Sequence, residues 1–287
     1  KPHGLNLEYD FPIAKQRKLV SLFMQKLGFD AKWGRLDESH HPFCGGYKND
    51  VRITTRFKEG DFLQGLMGVI HETGHGLYES GLPEKFQNQP VGEALGMSMH
   101  ESQSLFHEMQ IARSKEFIAF ALPIIKQEFA INDPSWNEEN LYRYFNHVQK
   151  SLIRVDADEV TYPLHVIMRY KIEKQLLAKD IEVADLPEVW QQYMRQYFNL
   201  KVPNDKDGCM QDIHWSDGTF GYFPTYSLGA IIASQLKKSL DKKNQHIAAD
   251  IEKGEFKNIR KYLHDNIHSK GRLYDAQTLL QRVTGNK

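Results

Sequence analysis

A chain of 287 residues is long enough for one large domain with a substantial core, or for two small ones. Its 37 Lys and Arg balance 37 Asp and Glu, so net charge gives no basis for binding nucleic acid or an anionic membrane, and no apolar run approaches the length of a membrane span. Two cysteines, Cys44 and Cys209, are too few for a disulfide framework or a Cys-based zinc finger; the expected setting is reduced and cytoplasmic, with both thiols inert.

The texture is mostly helical. Residues 12–28 open on Pro12 and close on Gly28, the start and stop signals of a helix. From 34 to 60 the glycines, Pro42 and the alternating run VRITTRF predict loop, strand and turn. Phe62, Leu66, Val69 and Ile70 recur at helical spacing and predict a helix through DFLQGLMGVIHETGHGLYES, residues 61–80. A second long helical stretch follows from Gly92 to Ile125, broken near Pro123. Helical patterns return around 138–152, 157–179, 186–199, 226–240 and 256–265. Residues 202–226 are loop-rich and aromatic, too long for a plain connector, and loops of that length tend to carry function. With no repeat or clear linker, the expectation is a single domain over 1–287, mainly α with a small β-sheet.

Within the second predicted helix stands HETGH, 71–75. Residues i and i+4 of a helix lie one above the other, so His71 and His75 can hold one metal ion. Glu72 projects about 100° round the helix from His71 and can reach a metal-activated water without binding the metal. That is why H-E-x-x-H suits a metallopeptidase; roughly 0.04 matches are expected by chance in a chain of this composition, so the signal is specific without being decisive. A catalytic zinc needs a third protein ligand, and Glu93, Glu101 and Glu108 are candidates at helical spacing. Gly74 and Gly76 weaken a helix, and their presence beside the histidines predicts a close approach by backbone or substrate.

Six stretches in order, HPF (41–43), DVRIT (50–54), HETGH (71–75), HESQ (100–103), IRVDAD (153–158) and GCMQDIHW (208–215), resemble the signature motifs of the M32 metallocarboxypeptidases, the carboxypeptidase Taq family. GYFPTYSLG (221–229) and IHSKGRLYDAQTLLQRVTG (267–285) also resemble family sequence, so the likeness runs through essentially the whole chain. It implies a large, helical, gluzincin-like catalytic domain that binds one zinc or cobalt ion per chain, cytoplasmic and homodimeric. It also implies that Glu101 is the third ligand beside His71 and His75. Family members carry a long helical region before the first motif, where this chain has 40 residues. The resemblance therefore implies the carboxy-terminal, catalytic part of a longer protein.

The expected activity is metal-dependent hydrolysis of the last peptide bond of short peptides with a free carboxyl end. Glu72 takes the proton of the metal-activated water and passes it to the leaving amine. Arginine is the natural partner of a terminal carboxylate. Arg154 is the first candidate, against an internal ion pair with Asp156 or Asp158; Arg52 is the second, against simple solvent exposure on a strand. His214, Tyr222 and Tyr226 can donate to substrate or to the developing oxyanion, or else pack within the loop. His41 and Phe43 read as cleft wall or as loop anchors. His100 is a candidate outer partner of the metal ligands, or a surface residue, and Asp158 could orient His71 or His75. The competing readings are an endopeptidase with the same metal chemistry and a non-catalytic zinc-bound domain.

Overall fold

The computed structural model describes residues 4–39 and 42–285. The architecture is mainly helical with one small sheet, as the sequence patterning implies. The first helix, α1 (Ile13–Leu27), follows Pro12 and ends at Gly28, whose φ of 101° lets its N–H reach back to the carbonyls of Met24 and Gln25. Three strands follow: β1 (Gly34–Glu38), β2 (Cys44–Tyr47) and β3 (Asp50–Thr55). β3 is central; β1 runs parallel to it, with Gly34 opposite Val51, and β2 antiparallel, with Cys44 opposite Ile53.

Helix α2 (Phe62–Gly81) carries HETGH. It starts at Asp61, whose carboxylate accepts from the backbone N–H of Leu63 and Gln64. α2 packs against α1, β3 and α3 (Met97–Leu105). Helix α3 runs into a π-helical stretch, Phe106–Ala112. The chain then breaks at Arg113 and Ser114, and Ser114 caps α4 (Lys115–Phe129) by accepting from Phe117 N. The expected break at Pro123 does not occur. Pro123 lies inside α4 on its exposed side, where water can serve the carbonyl that the missing N–H leaves unbonded.

Helices α5 (Glu138–Phe145), α6 (Tyr162–Ala178), α7 (Leu186–Phe198), α8 (Pro224–Lys243), α9 (Ile247–Glu252), α10 (Lys257–Asn266) and α11 (Ala276–Thr284) complete the chain. α5 is shorter than its expected span of 138–152, and α9 and α11 have no counterpart in the patterning. The chain divides into two compact units, 1–145 with 229–287, and 146–228, the division falling within α8. The first unit has a core rich in aromatic residues, among them Phe11, Phe62, Phe117 and Trp136. The second is built on Met168 and Ile172 of α6 and Trp190, Met194 and Phe198 of α7. No helix among the described residues is long and apolar enough to cross a membrane.

Candidate active site

In the first unit, α2 and α3 meet at Gly74. A side chain there would collide with the Gln103 carbonyl and come within 2.6 Å of Ser104 Cα, so glycine is what lets the two helices touch. Gly76 faces Phe29 and Val51 instead. The contact at Gly74 brings His71 and His75 of α2 to Glu101 of α3. His75 Nε2 lies 3.4 Å from one Glu101 oxygen and His71 Nε2 lies 3.8 Å from the other. One ligand atom from each of the three falls within 4.8 Å of the others. Two ligands held about 2.1 Å from a tetrahedral ion stand about 3.4 Å apart, so the donor set fits a divalent ion in spacing and chemistry.

Glu72, on the same helix, is buried, and its Oε2 has no hydrogen-bond partner among the described residues. A buried, unpartnered carboxylate oxygen is costly unless something not present in the protein alone serves it. Burial, helped by Glu101 and Glu108 and opposed by His71, raises the Glu72 pKa to about 7. At His71 burial works to lower the pKa, but Glu101, Glu108 and Glu72 outweigh it and raise it to about 10. Burial wins at His75, which falls to about 4. Three carboxylates crowd two imidazoles, an environment that favours a cation.

Of the three glutamates that the spacing left open, only Glu101 joins the histidines through their Nε2 atoms. Glu93 is exposed and pairs with Arg272. Glu108, in the π-helical stretch, approaches His71 from its other side, with Oε2 2.9 Å from Nδ1, and its Oε1 accepts from Arg113. His100 is also an outer partner: its Nδ1 is 2.6 Å from His75 Nδ1, and its Nε2 is 2.6 Å from Glu79 Oε1.

In the second unit, Arg154 is buried at the start of a polar cluster built on Asp212. Its Nε and Nη2 lie 2.9 and 2.8 Å from Asp212 Oδ1, and its Nη1 donates to the Tyr162 hydroxyl. Arg169 donates to Asp212 Oδ2 and to Gln211. The internal partner of Arg154 is therefore Asp212 and not Asp156 or Asp158. Asp158 accepts from Thr161, Val160 and Gln149, a local turn that occupies both of its oxygens. Burial would raise the Asp212 carboxyl, but Arg169 and Arg154 overcome it and hold it at about 2. Burial opposes the Arg154 charge, yet Tyr162, Asp212 and Tyr226 keep it above its ordinary value. One carboxylate cannot fully offset the desolvation of two guanidiniums, and the more buried Arg169 is pulled down to about 10.

His214 stacks on Phe223 and lies 2.9 Å through Nε2 from the Tyr226 hydroxyl, while its buried Nδ1 has no partner. Burial, with Arg154 beside it, lowers its pKa to about 4. Tyr222 packs edge-on to the same imidazole, and the Tyr226 ring lies 4.7 Å from the Arg154 guanidinium. Arg52 sits elsewhere, half-exposed on β3, with its fork on Asp50. Phe43 is exposed and held by backbone bonding to Thr54. His41 lies outside the described residues. Sequence reasoning missed Asp212, Arg169 and Glu79. Asp212 is flagged only by lying within QDIHW, and Glu79 only by following His75 by one helical turn.

The family model for carboxypeptidase Taq (M32) metallopeptidases matches residues 1–287. The chain belongs to that family. Carboxypeptidase 1 of Bacillus subtilis is 38% identical over 288 residues, which cover 100% of this chain and 58% of the relative. Thermostable carboxypeptidase 1 of Thermus thermophilus is 38% identical, over 99% of this chain and 56% of its own. The structure of Trypanosoma cruzi metallocarboxypeptidase 1 superposes with a TM-score of 0.94 at 44% identity, over 99% of this chain and 59% of that one. This M32 chain thus spans less than three-fifths of the length of the relatives it matches.

Proposed function

We propose that the chain is a metal-dependent carboxypeptidase acting on short peptides with a free carboxyl terminus. The observation that carries this reading is the gathering of His71, His75 and Glu101 beside the unpartnered Oε2 of buried Glu72. A divalent ion held by the three supplies Lewis acidity, polarising the scissile carbonyl and making water a nucleophile near neutral pH. Glu72 Oε2 takes the proton of the attacking water and delivers it to the leaving nitrogen, after which the new amine departs. Zinc is the proposed ion, with cobalt an acceptable substitute for a His₂Glu set, one per chain.

Arg154 is assigned to the substrate carboxylate. A guanidinium has five N–H donors. Those set against Asp212 and Tyr162 leave others for a further acceptor, and the Tyr226 ring backs its plane. His214, Tyr222 and Tyr226 are assigned as donors to substrate or oxyanion, and Phe43, His41 and Arg52 to substrate contacts further from the chemistry. A homodimeric, cytoplasmic protein and a single catalytic domain over 1–287 complete the reading; family resemblance supports the first two.

The test is mass spectrometry of one short peptide, with free and with amidated carboxyl ends, incubated with the chain and zinc or cobalt. Stepwise shortening of the free peptide alone is expected. Internal cleavage of both would replace the reading with an endopeptidase. Glu72→Gln should keep zinc affinity within a few-fold and lower turnover on the order of 10²- to 10⁴-fold; unchanged turnover would remove Glu72 from its role.

A further inference from the structure

The outer contacts of the two candidate ligand histidines differ. Both face Glu101 through Nε2. His71 meets the carboxylate of Glu108 directly, and an ionised carboxylate only accepts, so His71 Nδ1 carries the proton and Nε2 has a free lone pair. His75 meets another imidazole, His100, and two neutral imidazoles could share their hydrogen bond in either direction. The direction matters. If His100 donated, the His75 proton would sit on Nε2 and close the lone pair that an ion requires.

Glu79 removes the ambiguity. It lies on α2 one turn beyond His75, and its Oε1 is 2.6 Å from His100 Nε2. As an acceptor, it requires the His100 proton on Nε2. His100 Nδ1 is then a lone pair, and the proton between the two rings belongs to His75 Nδ1. The chain of donors runs outward, from His75 Nδ1–H to His100 Nδ1 and from His100 Nε2–H to Glu79 Oε1.

We propose that Glu79, acting through His100, is the positioning residue that fixes His75 as the tautomer able to bind a metal ion through Nε2. The inference rests on the assignment of His71, His75 and Glu101 as ligands. It predicts a dependence of the centre on a side chain that touches neither the ion nor the substrate. Glu79 is about a quarter exposed, so substitutions there need not disturb packing.

The measurement is zinc affinity of the 287-residue chain by chelator competition, with thermal unfolding in chelator as the folding control. Removal of an outer partner of a metal-bound histidine weakens affinity about 10- to 100-fold. Glu79→Leu and His100→Phe should each fall in that range, with the unfolding temperature of the metal-free protein little changed. Glu79→Gln keeps an acceptor oxygen and should bind within about threefold of the parent. The double variant should be no worse than His100→Phe alone, because both act through one chain of bonds. Parent-like zinc affinity in Glu79→Leu, or losses that add in the double variant, would overturn the proposal. If the parent itself took up no zinc, the ligand assignment would fall first and this inference with it.

Discussion

Replacing Gly74 by alanine tests whether the close contact of α2 with α3 sets the geometry of the candidate metal centre. The new methyl would lie 2.6 Å from Ser104 Cα and nearer still to the Gln103 carbonyl oxygen, whereas carbon atoms in contact settle about 3.5–4.0 Å apart. Helix α3 must therefore retreat by about 1 Å, and Glu101, three residues before Ser104, must leave its place 3.4 Å from His75. Overpacking costs about 1–3 kcal/mol, and backbone as the obstacle puts this case at the upper end. Removing a mid-helix glycine returns about 1 kcal/mol. The net loss of about 2 kcal/mol corresponds to a melting point lower by about 4–8 °C for a chain of this size. Gly68→Ala on the same helix is the control. Its methyl meets only the Thr55 hydroxyl, at 3.3 Å, so the propensity gain should dominate and the melting point should hold or rise slightly. Thermal unfolding in chelator and zinc competition on both variants decide the matter. A Gly74→Ala protein as stable as Gly68→Ala, with parent-like zinc affinity, would show that the contact does not set the site.

Asp212→Asn leaves two buried guanidiniums without their shared carboxylate, and breaking a buried pair from one side costs about 3–5 kcal/mol; a urea midpoint equivalent to a loss under about 1 kcal/mol would contradict the ion-pair account. His107 is buried, donates to the Gln103 carbonyl, and is held by burial at a pKa of about 4 against an ordinary 6.5. The unfolded chain therefore takes up a proton first as pH falls below 6.5, so this group's contribution declines from there until about pH 4 and is flat below. Between pH 7 and 5 it removes about 2 kcal/mol of stability. His107→Asn keeps a donor for Gln103 and should show that much less acid sensitivity in urea titrations at the two pH values; equal sensitivity would refute the assignment.

Local signals were the readable ones. Pro12 and Gly28 bracket α1, Asp61 caps α2, and the i, i+4 spacing of His71 and His75 follows from helical geometry alone. Glu101 stood out among three glutamates only through family resemblance, because helical spacing does not say which turn of a second helix will face the first. The π-helical stretch carried no periodic signature, and it is what turns Glu108 to the Nδ1 side of His71. Pro123 misled because the rule that proline ends helices concerns its carbonyl neighbour, which solvent can serve on an exposed face. Asp212 joins Arg154 across 58 residues of chain, a distance over which no local pattern reports.

The π-helical stretch also makes the local chain length a matter of rotation. A π turn is an α-helix holding one residue more than its hydrogen-bond ladder needs. Deleting one residue between 106 and 112 would therefore heal the helix rather than shorten a loop. Everything after the deletion would swing by about 100° and advance about 1.5 Å along the axis. Arg113, which grips Glu108 and the Phe145 carbonyl, would then point along a different bearing. In this segment the residue count acts as an angular setting, and an alignment gap here would signal a re-aimed helix.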